Sequence, residues 1–243
     1  MIQEKESTES LVGALAHPRF KVIPVKGVED QVRHLPPGAT VTVTCSPVRG
    51  IEHTLQCAER LAERGLRVVP HISARLVVDE AHLRGIVRRL AALGLREIFV
   101  VGGDVKEPTG SFTGAVELLQ ALADLDHNLA EIGVTAYPER HPFIDHPTLR
   151  RALADKQRFA TYMVTQICFD PDVIAQWLAD VRREGIGSPV YIGLPGVVDR
   201  TKLLGISMKI GVGDSARFVF KHMTWRRGSS CPAAIAQPSW WRS

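Results

Sequence analysis

Long apolar runs are missing from this chain. No stretch reaches the roughly 18 consecutive apolar residues that a membrane-crossing helix needs, so no membrane partner is expected. The opening MIQEKESTES lacks a basic stretch followed by an apolar one, so no secretory leader is expected either. Cysteine is scarce. Cys45, Cys57, Cys168 and Cys231 have neither metal-site spacing nor the density of a disulfide framework, which fits a reduced, cytoplasmic protein without a metal. Aromatics make up only 6% of the residues, and no basic patch with interleaved aromatics occurs, which argues against nucleic acid as a partner. Excess charge is small, at +4. The isoelectric point is about 9.0, yet the arginines sit among glutamates on helical stretches, the pattern of a solvated surface. What the chain does have is apolar content, 45% of 243 residues. That is enough to bury a sizeable core and excludes disorder over most of the length.

Short β-branched runs alternate with stretches of helical period, the signature of parallel βα units. Strands are expected over residues 20–25, 40–45, 67–71, 97–101, 131–136, 162–166 and 189–193. Helices are expected over 28–34, 51–64, 79–93, 113–125, 147–158 and 171–184. In the third of these helices Leu83, Ile86, Val87 and Leu90 share one face, with Asp79 placed as N-cap and Gly94 as the C-terminal stop. Seven strands with right-handed crossovers make either an open doubly wound sheet or most of a (β/α)8 TIM-type barrel. Nearly every strand ends in polar or glycine-containing residues: Thr44-Cys45-Ser46, His71, Gly102-Gly103-Asp104, Tyr137-Pro138-Glu139, Gln166 and Gly193. A barrel gathers such tips around one mouth, so the barrel is the expectation. Its domain spans 19–220, after an N-terminal extension over 1–18 and before an irregular tail over 221–243. That tail holds Trp240 and Trp241 and shows no strand or helix period, so the eighth strand and closing helix are expected to be lacking. An unclosed barrel leaves exposed edge strands that invite another copy of the chain.

The tips admit two kinds of reading. Gly102-Gly103-Asp104 is either a βα turn capped by its aspartate or a place where a planar ligand approaches bare backbone and Asp104 meets a ring N–H. Ala136-Tyr137-Pro138-Glu139-Arg140-His141-Pro142 is either a rigid solvated turn or a loop presenting Tyr137 and His141 to a flat or phosphorylated ligand. His71 is either a satisfied structural residue or a base. Gln166 needs a hydrogen-bond partner from backbone or ligand. Gly211-Val212-Gly213-Asp214-Ser215 is only weakly like a phosphate loop. No nucleophile–base arrangement is evident.

Taken in order, these tips resemble the methylenetetrahydrofolate reductase family. Val41-Thr42-Val43-Thr44, Pro70-His71-Ile72-Ser73 and Gly103-Asp104 are similar to its second-, third- and fourth-strand motifs. The Ala136–Pro142 segment matches its Ala-Tyr-Pro-Glu-x-His-Pro loop, and Val164-Thr165-Gln166-Ile167-Cys168-Phe169-Asp170 matches Ile-Thr-Gln-x-x-Phe-Asp. Gly193-Leu194-Pro195 is similar to a segment after its seventh strand. The resemblance covers roughly residues 20 to 220. It implies an eight-stranded barrel enzyme of one-carbon metabolism. Such an enzyme passes a hydride from NADH or NADPH, through FAD, to 5,10-methylenetetrahydrofolate, giving 5-methyltetrahydrofolate.

By the same resemblance, Thr44, His71, Gly103, Tyr137 and His141 fall at flavin-contacting positions. Asp104 is the carboxylate near flavin and pterin, and Gln166 is the folate-contacting amide. The departures are specific. Phe20-Lys21 stands where the family has Phe-Glu, whose glutamate is its general acid, so Lys21 becomes the candidate proton donor. Gly102 replaces an arginine. The fifth helix offers Thr148, Arg151 and Lys156 in place of the family's Asp, Asn and Lys. The eighth strand should follow Phe218, and a shift of reading frame near Phe220 would produce the tail seen. Direct hydride transfer without FAD is therefore an alternative route. An impaired folate- or nucleotide-binding barrel is the second reading, and another flavin barrel resembling proline dehydrogenase is the third.

Overall fold

The computed structural model describes residues 17–139, 141 and 143–194. The strands are β1 (Arg19–Val22), β2 (Thr40–Val43), β3 (Arg67–Ser73), β4 (Glu97–Val101), β5 (Glu131–Ala136), β6 (Tyr162–Thr165) and β7 (Val190–Tyr191). They form one seven-stranded sheet in chain order, and the registered pairs run parallel. Between them lie α1 (Val28–Val32), α2 (Gly50–Ala62), α3 (Glu80–Ala92), α4 (Ala115–Ala123), α5 (His146–Gln157) and α6 (Pro171–Arg183). This strand order and alternation is that of a partial (β/α)8 barrel. The expected positions of an eighth strand and of the 221–243 tail lie outside the described residues, as does the Gly211–Ser215 segment.

The chain divides into two compact units, residues 1–134 and 135–243. In the first, the register sets which side chains share a face. Phe20, Val41 and Val68 form one row and Val22, Val43 and Pro70 another, while Lys21, Thr42 and Val69 lie between them on the opposite face. Val41, Val43, Val68, Ile72 and Val100 are buried together with Leu55, Leu61, Leu83, Leu90, Leu118 and Leu122 from the helices. Burial of each such side chain is worth about 1.5–3 kcal/mol. In α3 the expected face is the buried one, Asp79 Oδ1 accepts from His82 N at 2.7 Å, and Gly94 takes φ +66. In the second unit α6 buries Trp177 and Val181, and Asp170 caps it by accepting from Asp172 and Val173 N–H groups.

Several expected bounds shift: β2 ends at Val43, β3 runs on to Ser73, and α4 keeps only Ala115–Ala123. β1 stops at Val22 because Pro24 has no N–H for the ladder and Val25 N turns back to Ile23 O at 2.8 Å. β7 is two residues long because Gly193 N donates to the Thr165 hydroxyl instead of continuing the pairing. α1 spans only Val28–Val32, with Leu35 N closing a tighter turn on Val32 O. A 3-10 turn over Ala74–Leu76 follows β3, which the periodicity did not show.

Candidate functional site

Lys21 occupies the face of β1 that it shares with Thr42 and Val69. Its side chain is exposed, yet protein packed around the ammonium lowers its pKa below the ordinary lysine range, and the Asp104 carboxylate opposes that shift. Water still reaches the group, so its proton can exchange. His71 lies two residues beyond Val69 on the same face and is only 6% exposed. Its ring centroid stands 4.6 Å from that of Phe99. Burial, reinforced by the Lys21 charge, pushes its pKa down to about 3, so the imidazole is neutral near pH 7. Thr44, just past β2, is half-buried and fixed by its backbone: its N–H donates to Val22 O at 3.0 Å and its carbonyl accepts from the Thr54 hydroxyl at 3.2 Å.

Past β4 the backbone itself is the feature. Gly103 has φ +102, and a Cβ there would lie 2.1 Å from Ser73 Oγ, whereas one at Gly102 would meet nothing within 4 Å. Only glycine fits position 103, and the tip of β4 presents bare peptide with free space above it. Asp104 follows, exposed, and near enough to Lys21 to act on its charge. Lys21, His71 and Asp104 thus form one electrostatic group in the first unit.

The second unit carries the other expected residues. Tyr137 and His141 meet edge to face at 5.2 Å, and His141 and Phe143 at 6.1 Å. His141 Nδ1 accepts from Phe143 N at 3.2 Å, which leaves the proton of the neutral ring on Nε2. Gln166 N donates to Ala136 O at 2.7 Å, and its Oε1 accepts from Ile167 N at 3.1 Å. The amide oxygen is therefore satisfied locally, and among the described residues nothing accepts from its Nε2. A Cβ at Gly193 would come within 2.5 Å of Thr165 O, so this tip too requires glycine. On α5, Thr148 is absorbed by the helix cap on Asp145, and Arg151 donates to the Thr148 hydroxyl at 3.4 Å. Lys156 is buried, with Nζ 2.8 Å from Thr135 O, and burial lowers its pKa to about 8.

Among the described residues no group of three or more histidine, cysteine, aspartate or glutamate side chains could hold a metal ion, and no helix is long and apolar enough to cross a membrane. Two features escaped the sequence reading. The depth of His71 and Lys156 has no local signal, because only tertiary packing sets it. Arg75 stood unnoticed in Ser73-Ala74-Arg75-Leu76, although a charged residue directly after a strand tip was a readable sign.

A family model described as methylenetetrahydrofolate reductase matches residues 28–205, well over half of the chain. Among solved structures, a tryptophan synthase from M. tuberculosis is similar at 16% identity over 79% of each chain, with a TM-score of 0.46. A dihydrodipicolinate synthase variant is similar at 13% identity over 88% of this chain and 82% of that one, with a TM-score of 0.40. Likenesses that loose decide nothing about ligand or reaction.

Proposed function

This chain belongs to the methylenetetrahydrofolate reductase family, a family of folate-related oxidoreductases. On that premise we propose that it reduces 5,10-methylenetetrahydrofolate to 5-methyltetrahydrofolate in the cytoplasm, with NADH or NADPH as hydride donor and Lys21 as proton donor. The observation that carries the reading is the electrostatic grouping of Lys21, His71 and Asp104 at the strand tips of the first unit.

The residues fit a planar ring system. The open space over Gly102 and the left-handed turn at Gly103 make a ledge of bare backbone, which a side chain at 102 would fill. Within the first unit, Thr44, His71 and Gly103 are the residues that would hold FAD. When bound, FAD would relay the hydride from the nicotinamide to the substrate. The roles of the residues below are the same if the nicotinamide gives its hydride directly.

Lys21 Nζ holds the proton. Crowding makes its ammonium a stronger acid than that of a free lysine, and Asp104 keeps it charged until the substrate arrives. The bond between the substrate's methylene carbon and N10 breaks with its electron pair left on N10, which takes the Lys21 proton. Hydride then adds to the methylene carbon, leaving a methyl group on N5. Between these events positive charge sits on the methylene–N5 unit, and the Asp104 carboxylate stabilises it. His71 is neutral and does not compete as a donor, and against Phe99 it forms a dry floor.

The test is an absorbance spectrum of the purified protein, followed by addition of NADH and then of methylenetetrahydrofolate. Flavin bands that bleach with NADH and recover with folate support the FAD route. A colourless protein that oxidises NADH only when folate is present supports direct transfer. No folate-dependent oxidation refutes the reading. One observation favours a second reading, a folate- or nucleotide-binding protein without turnover: Lys21 stands where the family carries its acid glutamate. Folate binding without oxidation, unchanged in Lys21→Glu, would establish it.

A further inference from the structure

Four hydrogen bonds converge on one arginine that the reaction above does not use. Arg75 N donates to Gly102 O at 3.0 Å, and Arg75 O accepts from Thr109 N at 2.8 Å. Its guanidinium donates to Lys106 O at 2.6 Å and to Thr113 O at 3.3 Å. Next to it, Ser111 N donates to Val78 O at 2.9 Å. Gly110 lies so close that a Cβ there would come within 1.7 Å of Val78 O. The segment from Gly102 to Thr113 is therefore fastened along its length to residues 75–78. The Arg75 side chain supplies two of its fastenings, at Lys106 and at Thr113, where Glu117 also accepts from the Thr113 N–H and hydroxyl.

Asp104 sits in this segment. Its neighbour Gly103 is wedged against Ser73, which is buried. No described residue hydrogen-bonds the Asp104 carboxylate, so its position within electrostatic reach of Lys21 is set by the backbone that carries it. A loop of this length would otherwise sample many positions, each with a different distance between carboxylate and ammonium.

We propose that Arg75 is a positioning residue. By holding the Lys106 and Thr113 carbonyls it fixes the loop after β4, and through the loop it fixes the position from which the Asp104 carboxylate acts on Lys21. The kinetic part of this inference rests on the proposed reductase reaction, and the structural part does not.

Both parts can be read with the full chain and the variants Arg75→Ala, Arg75→Lys, Asp104→Asn and Arg75→Ala/Asp104→Asn. Turnover of NADH with methylenetetrahydrofolate should fall about 10- to 100-fold in Arg75→Ala, the loss that small misplacement of a reacting group causes, with the KM for NADH little changed. Arg75→Lys keeps one of the two carbonyl contacts and should recover part of the loss. In the Asp104→Asn background Arg75→Ala should cost almost nothing more, because the carboxylate it positions is gone. Losses that multiply in the double variant, or an unchanged Arg75→Ala, overturn the inference. Amide hydrogen exchange judges the clasp independently of chemistry. The Thr109 and Ser111 amides should exchange faster in Arg75→Ala while those within α3 keep their wild-type rates. Wild-type exchange at Thr109 and Ser111 overturns the clasp. If the wild-type protein shows no folate-dependent oxidation, the proposed function fails, and the exchange result alone decides for or against the clasp.

Discussion

Replacing Lys156 by methionine should change stability with a sign that depends on pH. The residue is 5% exposed, and burial lowers its pKa from 10.5 to about 8. No opposite charge among the described residues contributes to that shift. A difference of about 2.5 units, at about 1.36 kcal/mol each, makes the buried ammonium cost about 3 kcal/mol at pH 7. The unfolded chain holds this proton up to pH 10.5 and the folded one only to about 8. Between those values the unfolded state binds more protons, so wild-type stability rises with pH. Below about pH 8 the cost is carried in full, and above 10.5 it is gone.

Methionine fills nearly the same space without the charge, but Thr135 loses a donor to its carbonyl at 2.8 Å and to its hydroxyl at 3.2 Å. A forfeited buried partner costs about 1–3 kcal/mol. Lys156→Met should therefore be about 0–2 kcal/mol more stable than wild type at pH 7 and about 1–3 kcal/mol less stable near pH 10.5. Urea unfolding of both proteins at pH 7, 8, 9 and 10.5 reads the difference directly, since every other titrating group is common to the pair. A difference that stays constant across that range would refute the reasoning, because Lys156 would then titrate alike in the folded and unfolded chains.

Gly103→Ala should destabilise by at least about 2 kcal/mol, since φ is +102 and the new methyl meets Ser73 Oγ, whereas Gly102→Ala should stay within about 0.5 kcal/mol; urea midpoints compare the two. Turnover should fall as pH rises through the Lys21 pKa, because the donor must be protonated. The limb lies below the ordinary lysine range, and Asp104→Asn, which removes the opposing carboxylate, should move it to still lower pH in a pH–rate profile. Lys21→Met should abolish that limb along with turnover while folate binding, followed by calorimetry, persists. Asp170→Ala should cost about 1 kcal/mol in chemical unfolding, as the cap of α6 loses its bonds to Asp172 and Val173 N–H groups.

Most of the fold was legible because parallel βα units leave two periodicities in the chain. The apolar run 97–101 became β4 with the bounds expected, and Leu83, Ile86, Val87 and Leu90 became the buried face of α3. What was not legible lies at the ends of elements. The Arg75 turn is too short to show a period, and the truncation of β7 depends on a hydroxyl 28 residues away at Thr165. Strand tips were legible as candidate site residues because every parallel strand delivers its C-terminal end in the same sense. Lys21 was found through a resemblance and not through any pattern of its own.

Protonation was the part the sequence withheld, and it decides the chemistry. His71, Lys21 and Lys156 are three nitrogen bases whose letters imply reference values only. Burial makes His71 a neutral floor and lowers Lys156, whose ammonium donates to Thr135, while Lys21, crowded but open to water and opposed by Asp104, is the group proposed to give up a proton. A lysine in a glutamate's place also alters the charge course of the proposed step. A carboxylic acid begins neutral and ends as an anion that stabilises the cation it helped to form. An ammonium begins as a cation and ends neutral, so it offers that cation nothing. The negative charge must then come from a second side chain, and Asp104 supplies it only as well as its loop is held. On that account Lys21, Asp104 and Arg75 form one chain of dependence, in which the exchange of Glu for Lys raises the demand on the two residues behind it.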